Sequence, residues 1–297
     1  MYEFWLGVFA AGMDPNSAAL TFSGRREGAE LVDGRLMAGP QTVADVVGGI
    51  VSFATDVKRW SESDVARLRE RQVIPRAWDK AADRGRIPKL DEFCDELAAQ
   101  PGAILEIAAG PGGGNMPGIL QRNSQAKILA NDASPDVLRL WQAFLRPRGV
   151  GANCCFAVFD ARCMPLRDRS IAAVSSVSGF GNVEGWRTAV WEAHRVLIDG
   201  GFLYSCDLVI DADDFDRFPA ELKMRWSGEE HETLTRGLTP ALVQCGFQIV
   251  ESLTEFHRKG DPAEDGVAER ALEYGATFRW NREIIKAQKP TVRVQLA

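Results

Sequence analysis

The sequence predicts an α/β protein built on a largely parallel sheet with helices on both faces, and three observations carry that prediction. From Ala103 onward, short apolar runs alternate with helical patterns, as strand–helix–strand units require. A glycine-rich turn, Gly110-Pro111-Gly112-Gly113-Gly114, follows the first run directly. The acids Glu106, Asp132 and Asp160 then mark the ends of three successive runs. In a parallel sheet, such ends share one edge, where ligands bind.

Composition is consistent with this class. The 297 residues are 45% hydrophobic and 26% charged, an ordinary globular balance that excludes disordered and fibrous chains. A net charge of −6 is the wrong sign for a protein that grips a phosphate backbone with its whole surface, so nucleic acid is not favoured as a partner. The longest apolar run, Val46 to Thr55, lies between Asp45 and Asp56 and is too short to span a membrane. The N-terminus lacks the basic region and cleavage site of a signal peptide, and a cytoplasmic protein is expected. Six cysteines without a C-x-x-C pair and three scattered histidines make no metal site; the thiols read as reduced core residues, with Cys154 and Cys155 on opposite faces of a strand.

The elements follow in order. Residues 1–89 read as an N-terminal extension, mostly helical, that caps the core of residues 90–297. Within it, residues 18–38 alternate weakly and suggest a hairpin. Ser61-Glu62-Ser63-Asp64 resembles a capping box opening a charged helix, and more helix is expected around Ala77 to Asp83. Lys58 to Lys89 carries ten basic against five acidic residues, read as solvated helix faces with an anionic contact as the alternative. A helix is expected over Leu90–Gln100. Strands are expected at Ile104–Ala108, Lys127–Asn131, Cys155–Phe159, Ala172–Val177 and Phe202–Val209, then Phe247–Leu253 and Thr277–Ile285, the last two pairing antiparallel. Ser134-Pro135 and Thr239-Pro240 each place a capping residue before a proline suited to the first helical turn; the helices they open run toward Gly149 and Gly246.

The turn and its acids point to a nucleotide-like ligand. Glycines let the backbone bend tightly and bring bare N–H groups against a ligand where a Cβ would collide. Asn115 stands where a G-x-G-x-x-G dinucleotide fingerprint needs its last glycine, which disfavours a nicotinamide enzyme. Asp132, 26 positions after Glu106, is placed to accept ribose hydroxyls, and Asp160 to meet an exocyclic amine.

Five ordered segments together resemble the class I S-adenosylmethionine-dependent methyltransferases: Ile104 to Gly112, Asp132-Ala133-Ser134-Pro135, Asp160-Ala161 with Met164-Pro165-Leu166, Arg195 to Gly201, and Cys245-Gly246-Phe247. The resemblance covers about residues 90 to 285. It implies a Rossmann-like seven-stranded sheet of order 3-2-1-4-5-7-6 with the last-added strand antiparallel, and S-adenosylmethionine as cofactor. It further implies that Glu106 orients the methionine amino end, directly or through water, and that the backbone at Ala108, Gly110 and Gly112 passes beneath the cofactor. Asp132 would bind ribose, Ala133 pack on adenine, Asp160 and Ala161 read the base, and Ser176 or Val177 approach the methionine portion. The sequence departs from the family at Ile171-Ala172, where Phe-Asp is common, and has Ser176 to Asn182 in place of an Asn-Pro-Pro-Tyr segment. Methylation of nucleobase amines through that motif is therefore not expected.

Methyl transfer from a sulfonium needs alignment and exclusion of water more than a dedicated nucleophile. If the acceptor must lose a proton, His231 and Asp207 are the candidate bases. Residues 207–232 hold nine acids against three basic residues, so a neutral or cationic small-molecule acceptor is expected, methylated at O or N. Phe180, Trp186 and Trp226 are candidates for the pocket wall. The alternatives are a cofactor-binding scaffold without catalysis and a nucleotide-dependent Rossmann enzyme.

Overall fold

A computed structural model describes residues 30–32, 35–38, 41–53, 60–84, 87–225, 229–260, 262 and 266–291. Four short strands, β1 (Glu30–Val32), β2 (Arg35–Ala38), β3 (Gln41–Val47) and β4 (Ile50–Ser52), form an antiparallel meander. Three helices follow: α1 (Glu62–Glu70), α2 (Val73–Ala82) and α3 (Pro88–Ala98). The alternating core then runs β5 (Ile104–Glu106), α4 (Met116–Arg122), β6 (Ile128–Asn131), α5 (Pro135–Leu145), β7 (Cys155–Val158), β8 (Ile171–Val177), α6 (Trp186–Val196) and β9 (Leu197–Ile210). Helices α7 (Ala212–Asp216), α8 (Ala220–Arg225), α9 (Glu229–Arg236) and α10 (Thr239–Gln244) lead to β10 (Gln248–Lys259), α11 (Gly266–Glu273) and β11 (Arg279–Gln288).

One sheet of eleven strands results, in the order β1-β2-β3-β4-β7-β6-β5-β8-β9-β11-β10. Its core, β7-β6-β5-β8-β9-β11-β10, is the expected 3-2-1-4-5-7-6 arrangement, with β11 antiparallel to both β9 and β10. The described part of the N-terminal region holds helices and also more strand than the one expected hairpin. Its meander continues the sheet itself, β4 lying parallel to β7. The physical reason is Gly48-Gly49: both have positive φ, +62° and +85°, which closes a two-residue hairpin between Val46-Val47 and Ile50-Val51. Of the expected 18–38 hairpin, residues 30–38 carry the β1–β2 pair, and residues 18–29 lie outside the described residues.

Consecutive strand residues feed opposite faces, so strands buried on both sides read as unbroken apolar runs. Leu105, Val174, Leu203 and Ile285 pack beneath α6 and α10, whereas Ile104, Ala173, Tyr204 and Ile284 pack beneath α3, α4 and α5. Cys154 and Cys155 fall on the two different sides. No described helix is long and apolar enough to cross a membrane.

The helix starts lie where the sequence places them, but only one uses the expected cap. Ser61 and Asp64 form the complete capping box of α1. Ser134 makes no side-chain cap to α5; its own N–H donates to Asp132 Oδ1 at 2.8 Å. At α10 the N-cap position is Leu238, and the capping group comes from across the fold. Glu283 of β11 accepts from the Leu238 N–H through Oε2 and from the Thr239 hydroxyl through Oε1, each at 2.7 Å. Glu283→Ala strands the buried Leu238 donor and removes a charge-assisted bond, a loss of about 2–3 kcal/mol. A melting temperature lower by about 4–10 °C is expected. Glu283→Gln, which still offers a carbonyl to Leu238, retains most of the stability; equal melting temperatures for all three proteins would contradict the capping role.

Candidate active site

The chain leaves β5 through a turn held from below and from the side. Ile107 N–H still donates to Ser175 and Ala109 N–H to Asn131, so the segment stays tied to β8 and β6. Between them Ala108 takes φ +49°, a left-handed conformation that costs a non-glycine residue about 1–2 kcal/mol. Ser178, just past the end of β8, is also left-handed at φ +53°, and both residues line the same cavity. Strain of this kind is retained where surrounding structure enforces it, and it gathers at ligand sites.

Two glycines of the turn are needed for different reasons. A Cβ on Gly114, which has φ +57°, would stand 1.8 Å from Glu106 Oε1, so nothing but glycine lies over that carboxyl. A Cβ on Gly112 would have nothing within 4 Å, so the space above it belongs to the cavity. Trp141 of α5 pins the other side, its indole N–H donating to the Gly110 carbonyl at 3.0 Å.

The three acids are placed differently from one another. Glu106 is fully buried and does not line the cavity. Its Oε2 accepts from the Asn115 N–H at 3.2 Å, and Asn115 in turn donates to Ser175 Oγ at 3.0 Å. Burial pushes the Glu106 carboxyl up to about 8, against the pull of Ser175 and Asn115. Asp132 opens onto the cavity while its carboxylate accepts from Gly110 N–H through Oδ2 at 2.9 Å and from Ser134 N–H through Oδ1 at 2.8 Å. Burial raises its pKa, opposed by those two backbone bonds. A carboxylate has about four acceptor positions, so each oxygen keeps one for a ligand. Asp160 also lines the cavity, its carboxylate gripped by the Arg162 guanidinium at 2.7–3.0 Å and by the Arg162 N–H at 2.8 Å.

The cavity, about 1380 Å³, runs along the carboxyl edge of β5, β6, β7 and β8 under the N-terminal helices. It brings together Ala108, Gly110, Gly112, Asp132, Ala133, Asp160, Ala161 and Val177 of the sequence-derived set. Ser176 stands behind it, wholly buried, its hydroxyl 3.5 Å from the Ile107 carbonyl. Glu106 likewise stands behind the cavity wall, beneath the turn at Gly114 and Asn115. Asp207 is buried away from the cavity, bonded to the Ser205 hydroxyl; burial pushes it up to about 7, with the nearby Glu283 charge adding to the effect. His231 lies in α9, and its side chain and Trp226 lie outside the described residues. Phe180 and Trp186 are core residues rather than cavity walls.

The acidic segment 207–232 does not face the cavity among its described residues. Three of its acids are paired with cations from other elements: Asp211 and Asp214 hold Arg279, and Glu232 holds Arg187. The expectation of a neutral or cationic acceptor thereby loses its physical basis. Sequence reasoning missed two contributors. One is α2, which turns Val73, Arg76, Ala77, Lys80 and Ala81 to the cavity at helical spacing, a periodicity present in the sequence. The other is Arg282, a cation inside a run read as a buried strand.

Because Glu106 binds its proton more tightly when folded, the folded state holds more protons than the unfolded one between the ordinary carboxyl pKa and about 8. Its contribution to stability is present below that window and falls as pH rises through it. Glu106→Gln is expected to flatten the fall in melting temperature between about pH 4.5 and 8. An unchanged pH slope would mean that Glu106 is ionised in the fold. Gly114→Ala, forced into the same carboxyl, is expected to cost about 1–3 kcal/mol or more in a melting experiment.

Residues 107–205 match a protein family described as a methyltransferase domain. Over 107 residues the chain is 30% identical to a demethylmenaquinone methyltransferase of Thermus thermophilus, a match covering 36% of this chain and 47% of that protein. The chain thus spans about half the length of that curated relative. Among solved structures, a candidate methyltransferase from Bacillus halodurans superposes with TM-score 0.50 at 21% identity, covering 68% of this chain and 99% of the other. The YcgJ protein of Bacillus subtilis gives TM-score 0.52 at 15% identity, covering 68% and 98%. These likenesses show a shared fold, and the family match falls on the β5 turn and the strands that carry the acids. Through residues 107–205 the chain is thus similar to a methyltransferase domain, on a fold it shares with those solved structures.

Proposed function

We propose that the protein transfers a methyl group from S-adenosylmethionine to an oxygen or nitrogen atom of a small-molecule acceptor held in the same cavity. The observation that carries this reading is the Asp132 carboxylate: fixed by Gly110 and Ser134, it still presents an open acceptor position on each oxygen beside the bare surface of Gly112. That pairing suits a ribose lying over a glycine turn. The remaining residues fit the rest of the cofactor. Ala133 and Ala161 offer small apolar surface for a purine, Asp160 a carboxylate already oriented by Arg162, and Val177 and Ser178 the end of β8 beside the turn.

When bound, the cofactor supplies an activated methyl group, and displacement at that carbon needs an aligned acceptor and little water. The chain provides the alignment through rigid strand ends. Helices α1, α2 and α3 and the residues before them border the cavity with apolar side chains, Trp60, Val73, Ala77, Ala81, Ile87 and Leu90, interspersed with Asp64, Arg76, Lys80, Asp83 and Asp91. His231, carried by α9, is the candidate to take a proton from an acceptor that must lose one. Asp207 has no path to that role, since its carboxyl is enclosed with Ser205.

Calorimetry with S-adenosylhomocysteine tests the cofactor assignment. Asp132→Ala removes a charge-assisted bond worth about 1.5–3 kcal/mol, so affinity is expected to fall about 10- to 150-fold. Asp132→Asn does not restore it, because both oxygens accept backbone N–H groups and an amide can serve only one. Gly112→Ala is expected to weaken binding at least tenfold with no change in melting temperature, since its Cβ meets only cavity space. Affinity within twofold of wild type in Asp132→Ala, or NAD binding as tight as S-adenosylhomocysteine, overturns the reading. Methyl transfer to RNA exceeding that to small amines, phenols and acids would overturn the small-molecule acceptor.

A further inference from the structure

We infer that the methyl acceptor carries an anionic group, a carboxylate or a phosphate, and that Arg282 binds it. The inference rests on the methyltransferase reading above and adds to it the chemical class of the acceptor. In the sheet, Arg282 of β11 lies opposite Glu255 of β10 on one side and Leu208 of β9 on the other. Its guanidinium reaches toward β9, with Nη1 3.5 Å from Cys206 Sγ. Cys206 is the sheet partner of Val177, at the end of β8, and Val177 and Arg282 both line the cavity. Neighbouring strands are about 4.8 Å apart. The positive charge therefore stands near one strand's width from the end of β8, which the proposed function assigns to the methionine side of the cofactor.

Part of the space is lined by apolar side chains and cations. Leu234 of α9, Val267 of α11, and Ile87 and Leu90 of α3 supply apolar lining, in which a guanidinium attracts an opposite charge more strongly than it would in water. Of the acids on the cavity wall, Asp91 is engaged with Arg122 at 2.5 Å and Asp160 with Arg162; Asp64, Asp83, Asp132 and Glu184 line it as well. Helix α2 adds the cations Arg76 and Lys80 to the lining. No acid from the described part of residues 207–232 reaches the space. An arginine fork matches the two oxygens of a carboxylate or phosphate, which a lysine cannot reproduce. The fitting acceptor has its nucleophilic atom and its anionic group only a few bonds apart, as in a hydroxy acid, an amino acid or a small phosphate ester.

The test is calorimetry on the full chain saturated with S-adenosylhomocysteine, comparing 4-hydroxybenzoate with 4-hydroxybenzamide, and phenyl phosphate with phenol. Each anion is expected to bind at least tenfold more tightly than its neutral counterpart if its oxygens are the ones recognised, and the tighter of the two anions separates carboxylate from phosphate. Arg282→Gln abolishes the advantage and Arg282→Lys keeps part of it, while both variants hold S-adenosylhomocysteine within twofold of wild type. Equal binding of anion and neutral partner in both pairs, an advantage that survives Arg282→Gln, or no anion binding at all overturns the inference. Failure of wild type to bind S-adenosylhomocysteine is a separate result and overturns the proposed function instead.

Discussion

A carboxyl group with no access to water, that of Glu106, sets the shape of the cavity. It ends β5, accepts the Asn115 N–H, and leaves room above it for a glycine alone. The chain must therefore pass over it in a left-handed turn, Gly113-Gly114, and enter α4 at a defined height. Trp141 and Asp132 hold the same turn from the α5 side, one through the Gly110 carbonyl and the other through the Gly110 N–H. Four elements thus converge on a few backbone atoms. The result is a surface fixed before any ligand arrives, which lowers the cost of ordering it on binding.

This also explains which parts of the site were legible in the sequence. Residue type and spacing located the turn and the acids, because only glycine tolerates those backbone angles and only a strand end carries an acid to the sheet edge. They could not separate acids that touch a ligand from acids that support the backbone. Glu106 and Asp132 follow the same strand-plus-acid pattern, yet one is sealed beneath Gly114 and the other faces the cavity. The difference lies in the depth at which each strand stops, a tertiary quantity. Alternation and run length located the core strands, but their order in the sheet came from the resemblance of the five motifs to the methyltransferase family. The β3–β4 half of the meander was not read as sheet, although Gly48-Gly49 between two pairs of β-branched residues is a hairpin signal. A short apolar run of this kind fits a buried helix as well as a strand, an ambiguity that periodicity alone does not resolve.

Charge shows the same dependence on packing. The formal net charge of −6 and the acidic 207–232 segment suggest a protein that repels anions. In the fold, Asp211 and Asp214 close on Arg279, Glu232 closes on Arg187, and Asp207 withdraws into the interior. Because surface charges are screened within about 10 Å at moderate ionic strength, a segment that does not line the cavity contributes less field there than the charges that do. What a ligand meets is set by the few charges that face it.

Strand β11 brings these threads together. It is the strand inserted antiparallel between β9 and β10, and successive residues on it face opposite sides of the sheet. Glu283 points to one side and fixes the start of α10; Arg282 points to the other and reaches the cavity. A register slip of one residue would exchange them, placing a carboxylate in the cavity and a guanidinium against the Leu238 N–H, which it cannot cap. The stability of α10 and the sign of charge at the acceptor end are therefore set by one register. Nine paired positions with β9, from Trp280–Ile210 to Gln288–Phe202, hold that register without a bulge. The pairing with β10 does contain irregularities, so the precision needed at the cavity is supplied from the β9 side, the strand next to β8.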